Sequence, residues 1–295
     1  MNMSKLTPGD KAKILIEALP YIKKFSGKTF VIKYGGNAMV DDELKQQVIN
    51  DIILMKYVGI NPVIVHGGGP DINEWLAKTG SESKFIQGLR VTDEKVMEVV
   101  QMVLIGKVNK EVVALFENNG IKALGFSGID GQTLLAKKKM AEIDGKLYDL
   151  GFVGEVEKVN PALIDKAIND KYIPVIAPVG VDEKGQSYNI NADYAAGSVA
   201  ASLNAEKLFL LTDIDGVLDK EGKLISRVDQ ASAKRMIADG TISGGMIPKI
   251  ECCMEAIENG VSSAHIVNGT LLHALLLEIF TDKGVGTMFV EGENL

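Results

Sequence analysis

Short apolar runs alternate with longer amphipathic stretches along the chain. The runs TFVIKYG (29–35), NPVIVHGG (61–68), IKALGFSG (121–128), YIPVIAPVG (172–180), KLFLLTD (207–213) and SAHIVNG (263–269) are continuous rather than alternating. Continuity of this kind predicts strands buried on both faces. Between them, helical patterns run over 41–58, 70–79, 92–118, 161–169, 191–204, 229–238, 246–259 and 270–280. Buried strands separated by helices predict an α/β fold, a three-layer αβα sandwich around a mainly parallel sheet. LYDLGFVGEVEKVN (147–160) differs, because it alternates and carries turn residues. It predicts an antiparallel hairpin lying over the sheet.

The segment DKAKILIEALPYIKKF (10–25) precedes the first core run. Asp10 is a candidate cap, and Ile14, Ala18 and Ile22 share a helical face with Leu15, Leu19 and Phe25 close by. Pro20 predicts a kink. The pattern fits equally an arm that packs on another subunit and a helix lying on its own domain.

Each core run ends on glycine or a small polar residue: KYGG, HGGGP, FSGID, APVG, TDIDG and VNG. In open α/β sheets ligands gather at the carboxyl ends of strands, so these ends predict one long binding edge. The net charge of −7 over 295 residues argues against a surface built for nucleic-acid backbones. Individual lysines at that edge therefore gain interest. Cys252 and Cys253 are the only cysteines and adjoin each other, which favours a reduced, cytoplasmic setting without a structural disulfide or zinc site. No signal-peptide core and no apolar stretch of about 18 residues is present, so no membrane span is expected.

KYGGNAM and HGGGPDI are neither Walker loops nor dinucleotide fingerprints, yet each joins a strand to a helix. Glycine-freed N–H groups at a helix N-terminus make an anion cradle, and Lys33 at the end of a buried strand would face that anion. One such loop alone is explained by a tight turn; two on neighbouring strands favour the cradle. His66 reads as a residue that orients backbone. Arg90, in GLRVTD (88–93), offers a planar fork to a carboxylate, but taken alone a solvated charge ahead of a Thr92 or Asp93 cap is the better account of it. In SYNINADYAAG (187–197), Asp193 is either an N-cap or a holder of nearby lysines. TDIDGVLD (212–219) lacks the spacing of a calcium loop and reads better as a nucleotide-facing turn. GGMIPKIECC (244–253) again sets a glycine pair before a lysine, Lys249, in the first turn of a helix. A lysine there opposes the helix dipole unless an anion lies between them.

These segments, in this order from residue 33 to 249, resemble the amino acid kinase family. Within it they are similar to the branch that phosphorylates N-acetyl-L-glutamate, and EIFTDKGVGT (278–287) with the N-terminal helix resembles its arginine-inhibited, hexameric members. The resemblance implies that Lys33 and Lys249 stabilise the transferring phosphoryl group, that Asp193 organises them, and that Gly36 and Gly69 donate backbone N–H groups. It implies an acyl-amino-acid site at Gly68, Gly69, Arg90 and Asn189. Nucleotide-facing positions would be Thr212, Asp213, Ile214, Asp215, Gly216, Val217 and Leu218, together with Thr241, Ser243, Gly244, Gly245 and Met246. An arginine site would involve Glu278, Gly284 and Gly286. By the same resemblance, residues 1–27 form a helix for assembly and regulation. Residues 28–203 then form the acyl-amino-acid lobe, and 204–295 the nucleotide and arginine-binding lobe. ATP would bring its own Mg2+, and the expected product is an acyl phosphate of arginine biosynthesis.

The chemistry of the residues agrees. Phosphoryl transfer asks the protein for in-line positioning and charge compensation more than for covalent chemistry. A carboxylate nucleophile is already ionised at neutral pH, so the lack of a His- or Cys-based dyad fits. The rivals are a sister kinase acting on another carboxylate, on carbamate or on a nucleotide, and a catalytically silent amino-acid sensor. Possession of both lysines and Asp193 argues against the sensor.

Overall fold

The computed structural model describes residues 7–39, 41–143 and 145–292. Its main sheet has eight strands in the order Arg227–Asp229, Thr287–Val290, Ser263–Asn268, Lys207–Thr212, Thr29–Tyr34, Asn61–His66, Ile173–Ala177 and Ala123–Ser127. The six strands from Ser263–Asn268 onward are the six apolar runs, and all are parallel. Thr287–Val290 adds antiparallel to this set and pairs in parallel with the short edge strand Arg227–Asp229.

The period of two along each strand divides the core. Val31, Val63, Val65, Leu208 and Leu210 point to one face, where they meet Ala195, Ala196 and Val199 of helix Ala192–Ser202 and Ile250 of helix Met246–Glu258. Phe30, Ile32, Ile64, Phe209 and Leu211 point to the other face, against Ile49 and Ile52 of helix Asp42–Tyr57 and Phe116 of helix Asn109–Asn118. Both faces are covered, giving the three layers expected of continuous apolar strands. The expected lobes on either side of residue 203 share this sheet, since Thr29–Tyr34 pairs directly with Lys207–Thr212. Cys252 and Cys253 are buried free thiols beneath it. No described helix is long and apolar enough to cross a membrane.

Three local expectations need correction. The 147–160 stretch is not itself a hairpin: Lys146–Val159 is one long strand, paired antiparallel with Leu134–Ile143. With Val179–Val181 and Ser187–Ile190 the two form a small closed barrel over the sheet edge. The helical pattern at 92–118 is one rod of three parts, with a π-helical segment, Met102–Val108, between Glu94–Gln101 and Asn109–Asn118. The last helix begins only at Ala274, because His273 takes a left-handed conformation (φ 55°) ahead of it.

The N-terminal segment bends as expected. Helix Pro8–Glu17 is capped by Thr7, whose hydroxyl accepts from Asp10 N, while Asp10 accepts in return from Thr7 N at 3.1 Å. Asp10 is thus the third-position partner of a capping box rather than the cap itself. The chain breaks at Ala18 and restarts as Leu19–Phe25, with Pro20 in the tolerated first turn. Phe25 is buried edge-on against Phe30, with ring centroids 5.3 Å apart. Pro8–Glu17 buries nothing and leaves Ile14, Leu15 and Ile16 more than half exposed (52%, 73% and 67%).

Candidate active site

Parallel pairing brings the two glycine loops side by side. Lys33 lies opposite Val65, Tyr34 opposite His66, and Gly67 N donates to Tyr34 O at 2.7 Å. Helix Ala192–Ser202 starts above the same strand ends. Its N-cap is Asn191, whose side chain accepts from Asp193 N at 2.8 Å, so the Asp193 carboxylate is left for another task.

That carboxylate joins the two lysines. Lys33 Nζ lies 3.0 Å from Oδ1, and Lys249 Nζ lies 2.7 Å from Oδ2. Oδ1 meets Lys33 as an ion contact without a well-angled hydrogen bond. Burial alone would raise the Asp193 pKa, but the two ammonium groups outweigh it and hold it at about 2. Asp193 is therefore an anion at any physiological pH and no proton acceptor. It also supplies the negative charge that a lysine in the first turn of helix Met246–Glu258 calls for. The buried thiol of Cys252 donates to Asp193 O at 3.0 Å and fixes that turn from below.

A cavity of about 310 Å³ opens beside this triad, lined by Lys33, Gly36, Gly67, Gly68, Gly69, Arg90, Asn189 and Asp193. A β-carbon on Gly68 (φ 158°) would sit 2.5 Å from Leu104 Cδ2, so Leu104 would have to move to admit one. Arg90 is buried, and burial lowers its pKa. Its guanidinium stacks 4.7 Å over Phe85 and donates to Asn73 Oδ1 (2.7 Å), Gly69 O (3.2 Å) and the Ser83 hydroxyl. Asn189 donates to Thr92 Oγ1 at 3.1 Å, and Thr92 donates to Arg90 O at 2.8 Å. The barrel holds this group in place: Asn189 pairs with Val153, and Gly151 bridges to Thr92. A rigid cation and Lys33 thus line one glycine-walled space, which suits a ligand with two separated anionic groups.

A second, wider cavity of about 790 Å³ shares Asn191 and Asp193 with the first and is lined among others by Lys139, Tyr194, Gly244, Gly245 and Lys249. Gly244 and Gly245 therefore reach the triad, with Ser243 and Met246 beside them in the chain. Thr241 is anchored to Asp239, its N and Oγ1 donating to Oδ1 at 2.9 and 2.6 Å. The Thr212–Leu218 turn lines neither cavity. Thr212 donates to Asp213 (3.3 Å), Asp215 accepts from Asn268 (2.7 Å), and Val217 N donates to Thr287 Oγ1 (2.8 Å). Gly216 packs against Thr287, while Ile214 and Leu218 stay exposed. Among the described residues no three His, Cys, Asp or Glu side chains converge as a metal-binding group.

A third cavity, of about 330 Å³, joins the chain ends. Tyr21, Lys24 and Phe25 line it with Lys207, His265, Glu278, Gly284 and Gly286. The Glu278 carboxylate accepts from Val285 N (2.7 Å) and Gly286 N (3.1 Å) and lies 2.8 Å from His265 Nδ1. Burial would raise its pKa, yet these donors lower it overall. Lys207, 3.0 Å from His265 Nε2, is pushed down to about 8 by burial. A β-carbon on Gly284 would fall 2.4 Å from Glu278 Oε2. Lys207, His265 and Tyr21 had no local signal in the sequence, and neither did Asn73, Ser83 and Phe85 around Arg90.

With this geometry in view, the relatives are informative. The sequence model of the amino acid kinase family matches residues 28–268. An acetylglutamate kinase of Heliobacterium modesticaldum is 58% identical over 292 residues, covering 96% of this chain and 98% of that protein. An acetylglutamate kinase of Syntrophus aciditrophicus is 55% identical over 289 residues, with 96% and 98% covered. Among solved structures, the N-acetylglutamate synthase of Neisseria gonorrhoeae, complexed with coenzyme A and N-acetyl-glutamate, matches with a TM-score of 0.84 at 28% identity. That match covers 96% of this chain and 64% of the synthase, so the chain spans somewhat less than two thirds of that longer protein. Carbamate kinase from Giardia lamblia bound to AMP-PNP shares the fold, with a TM-score of 0.63 at 17% identity over 90% of this chain and 99% of that one.

Proposed function

The chain belongs to the amino acid kinase family, and from that premise we propose that it transfers the γ-phosphoryl group of ATP to the side-chain carboxylate of N-acetyl-L-glutamate. The product is an acyl phosphate, a step of arginine biosynthesis carried out in the cytoplasm. The observation that carries this reading is the ion triad Lys33–Asp193–Lys249 set between the glycine-walled cavity with Arg90 and the wider cavity with Gly244 and Gly245.

In this reading Arg90 and Asn189 hold the α-carboxylate end of the substrate, and its side-chain carboxylate lies along the N–H groups of Gly36, Gly68 and Gly69. The nucleotide occupies the wider cavity and extends toward the 212–218 and 241–246 segments, its magnesium arriving bound to the phosphates. One carboxylate oxygen attacks the γ-phosphorus, the bond to the β–γ bridging oxygen breaks, and ADP leaves with that electron pair. Lys33 and Lys249 lie on either side of the developing charge. Asp193 keeps both ammonium groups in place and takes no proton. Residues 28–203 thereby serve the acyl amino acid and 204–295 the nucleotide.

We propose further that L-arginine binds the cavity between Tyr21, Phe25 and Glu278 as a feedback inhibitor. Its cationic groups would meet the Glu278 carboxylate, and Gly284 and Gly286 admit close backbone approach. The exposed apolar face of Pro8–Glu17 supports an arm that joins subunits into a hexamer.

ADP release measured with ATP, magnesium and N-acetyl-L-glutamate tests the central reading. Release that requires carbamate or another carboxylate instead would move the chain to a sister kinase, and none at all would favour the sensor. Arg90→Lys separates the substrate sites. It loses the planar fork over Phe85, and its KM for N-acetylglutamate should rise at least about tenfold, the loss of one charge-assisted hydrogen bond. The KM for ATP should stay within about twofold on the same reasoning. A rise confined to the ATP KM would remove Arg90 from the acyl-amino-acid site.

A further inference from the structure

His66 and Asn109 are both completely buried beneath the second glycine loop and line none of the three cavities described above. Asn109 follows the π-helical segment Met102–Val108, whose wider turn sets Leu104 against Gly68 and Asn109 under the ends of three strands. Its amide orientation is forced. Oδ1 accepts from Lys110 Nζ (3.0 Å), which can only donate, and Nδ2 donates to Val175 O (2.9 Å), which can only accept. Gly125 makes room for it, since a β-carbon there would lie 2.2 Å from Asn109 Oδ1.

The same Nδ2 lies 3.2 Å from His66 Nε2 and 3.4 Å from Phe126 O, and because an amide nitrogen only donates, Nε2 turns its lone pair rather than a proton toward it. Burial pushes the His66 pKa down to about 4, so the ring is neutral and its single N–H is on Nδ1. Nδ1 lies 2.7 Å from Gly67 O, an acceptor, which is where that N–H goes. This pins one peptide plane. All peptide bonds here are trans, so holding Gly67 C=O toward His66 turns the Gly68 N–H the opposite way. Among the described residues no acceptor meets that N–H.

We propose that His66 and Asn109 form a relay that aims the Gly68 N–H at the reacting carboxylate and phosphoryl oxygens, which makes both of them positioning residues for the transfer. The inference rests on the phosphoryl-transfer reading above. It differs from a packing role, because packing asks only for volume, whereas aiming asks for a donor at one ring nitrogen.

Two measurements test it. The chain has three histidines, so 15N spectra of histidine-labelled protein at neutral pH, with His66→Asn to assign the signal, report the tautomer directly. His66 should be in the Nδ1–H form, and the Nε2–H form overturns the relay. In steady-state kinetics His66→Leu should lose about 10²-fold in kcat at little-changed KM, the size of a small misplacement of reacting groups. His66→Asn keeps an amide donor where Nδ1 was and should recover most of that rate. Equal rates for the two variants, high or low, overturn the proposal. A wild-type protein that releases no ADP would instead sink the kinase reading, and the tautomer measurement would still judge the relay.

Discussion

Replacing Lys33 or Lys249 by alanine should lower kcat by about 10²–10³-fold while changing either KM by much less. Each ammonium group lies within 3.0 Å of the Asp193 carboxylate, held in place before substrate arrives. A preorganised donor gains value as charge grows on the transferring oxygens, which is why its loss falls on kcat. The alternative is that the lysines only neutralise a buried aspartate. That role predicts a loss of thermal stability in each single variant and an unchanged rate per folded molecule. Stopped assays alongside thermal unfolding of both variants separate the two. If kcat stays at the wild-type value and only the KM for ATP rises, the lysine concerned binds ground-state phosphate and does not serve the transition state. Methionine at either site is the sharper probe, because it keeps most of the unbranched apolar stem and removes the ammonium group with its charge and N–H donors.

Much of this arrangement is legible in the chain. Six strands announce themselves because a strand buried on both faces has no reason to alternate, and their glycine-rich ends mark the binding edge. Lys33 and Lys249 stand out because each occupies a position where a lysine costs stability unless an anion is near. What the sequence hides is hidden for physical reasons. The strand Leu134–Ile143 contains three consecutive lysines, Lys137 to Lys139, which mask its alternation, so its pairing with Lys146–Val159 is not legible. His66, Asn109 and Val175 meet across 43 and 66 residues of chain, and nothing local in any of them signals the others. Arg90 reads as a lone charge until Asn73, Ser83 and Phe85 are brought around it. The Thr212–Leu218 turn shows the opposite case: its acidic pattern is conspicuous, yet the contacts that shape it run to Asn268 and Thr287.

Deleting residues 1–26 should yield a smaller assembly that still phosphorylates substrate but needs at least about tenfold more arginine for inhibition, within the usual range of coupling between sites. The structure divides this expectation into two parts. Helix Pro8–Glu17 buries nothing within its own chain and exposes Ile14, Leu15 and Ile16, so in the proposed assembly its contribution would lie between subunits. Helix Leu19–Phe25 is anchored to its own chain through Phe25 on Phe30 and through the Tyr21 hydroxyl on Asp282, and it supplies one wall of the cavity around Glu278. A deletion of residues 1–18 should therefore reduce the assembly while leaving the arginine cavity walled. Extending the cut to residue 26 removes Tyr21, Lys24 and Phe25 as well and opens it. In the proposed regulation arginine would inhibit only through different affinities for two arrangements of the enzyme, so a subunit that still binds it but has lost its neighbours should bind it without full inhibition. Light scattering, calorimetric titration with arginine and the ADP-release assay on both truncations distinguish the steps. The shorter deletion should retain arginine binding at reduced inhibition, and the longer one should also bind arginine at least about tenfold more weakly. A 1–26 deletion that keeps the full-size assembly and full arginine sensitivity would remove the arm from both assembly and regulation.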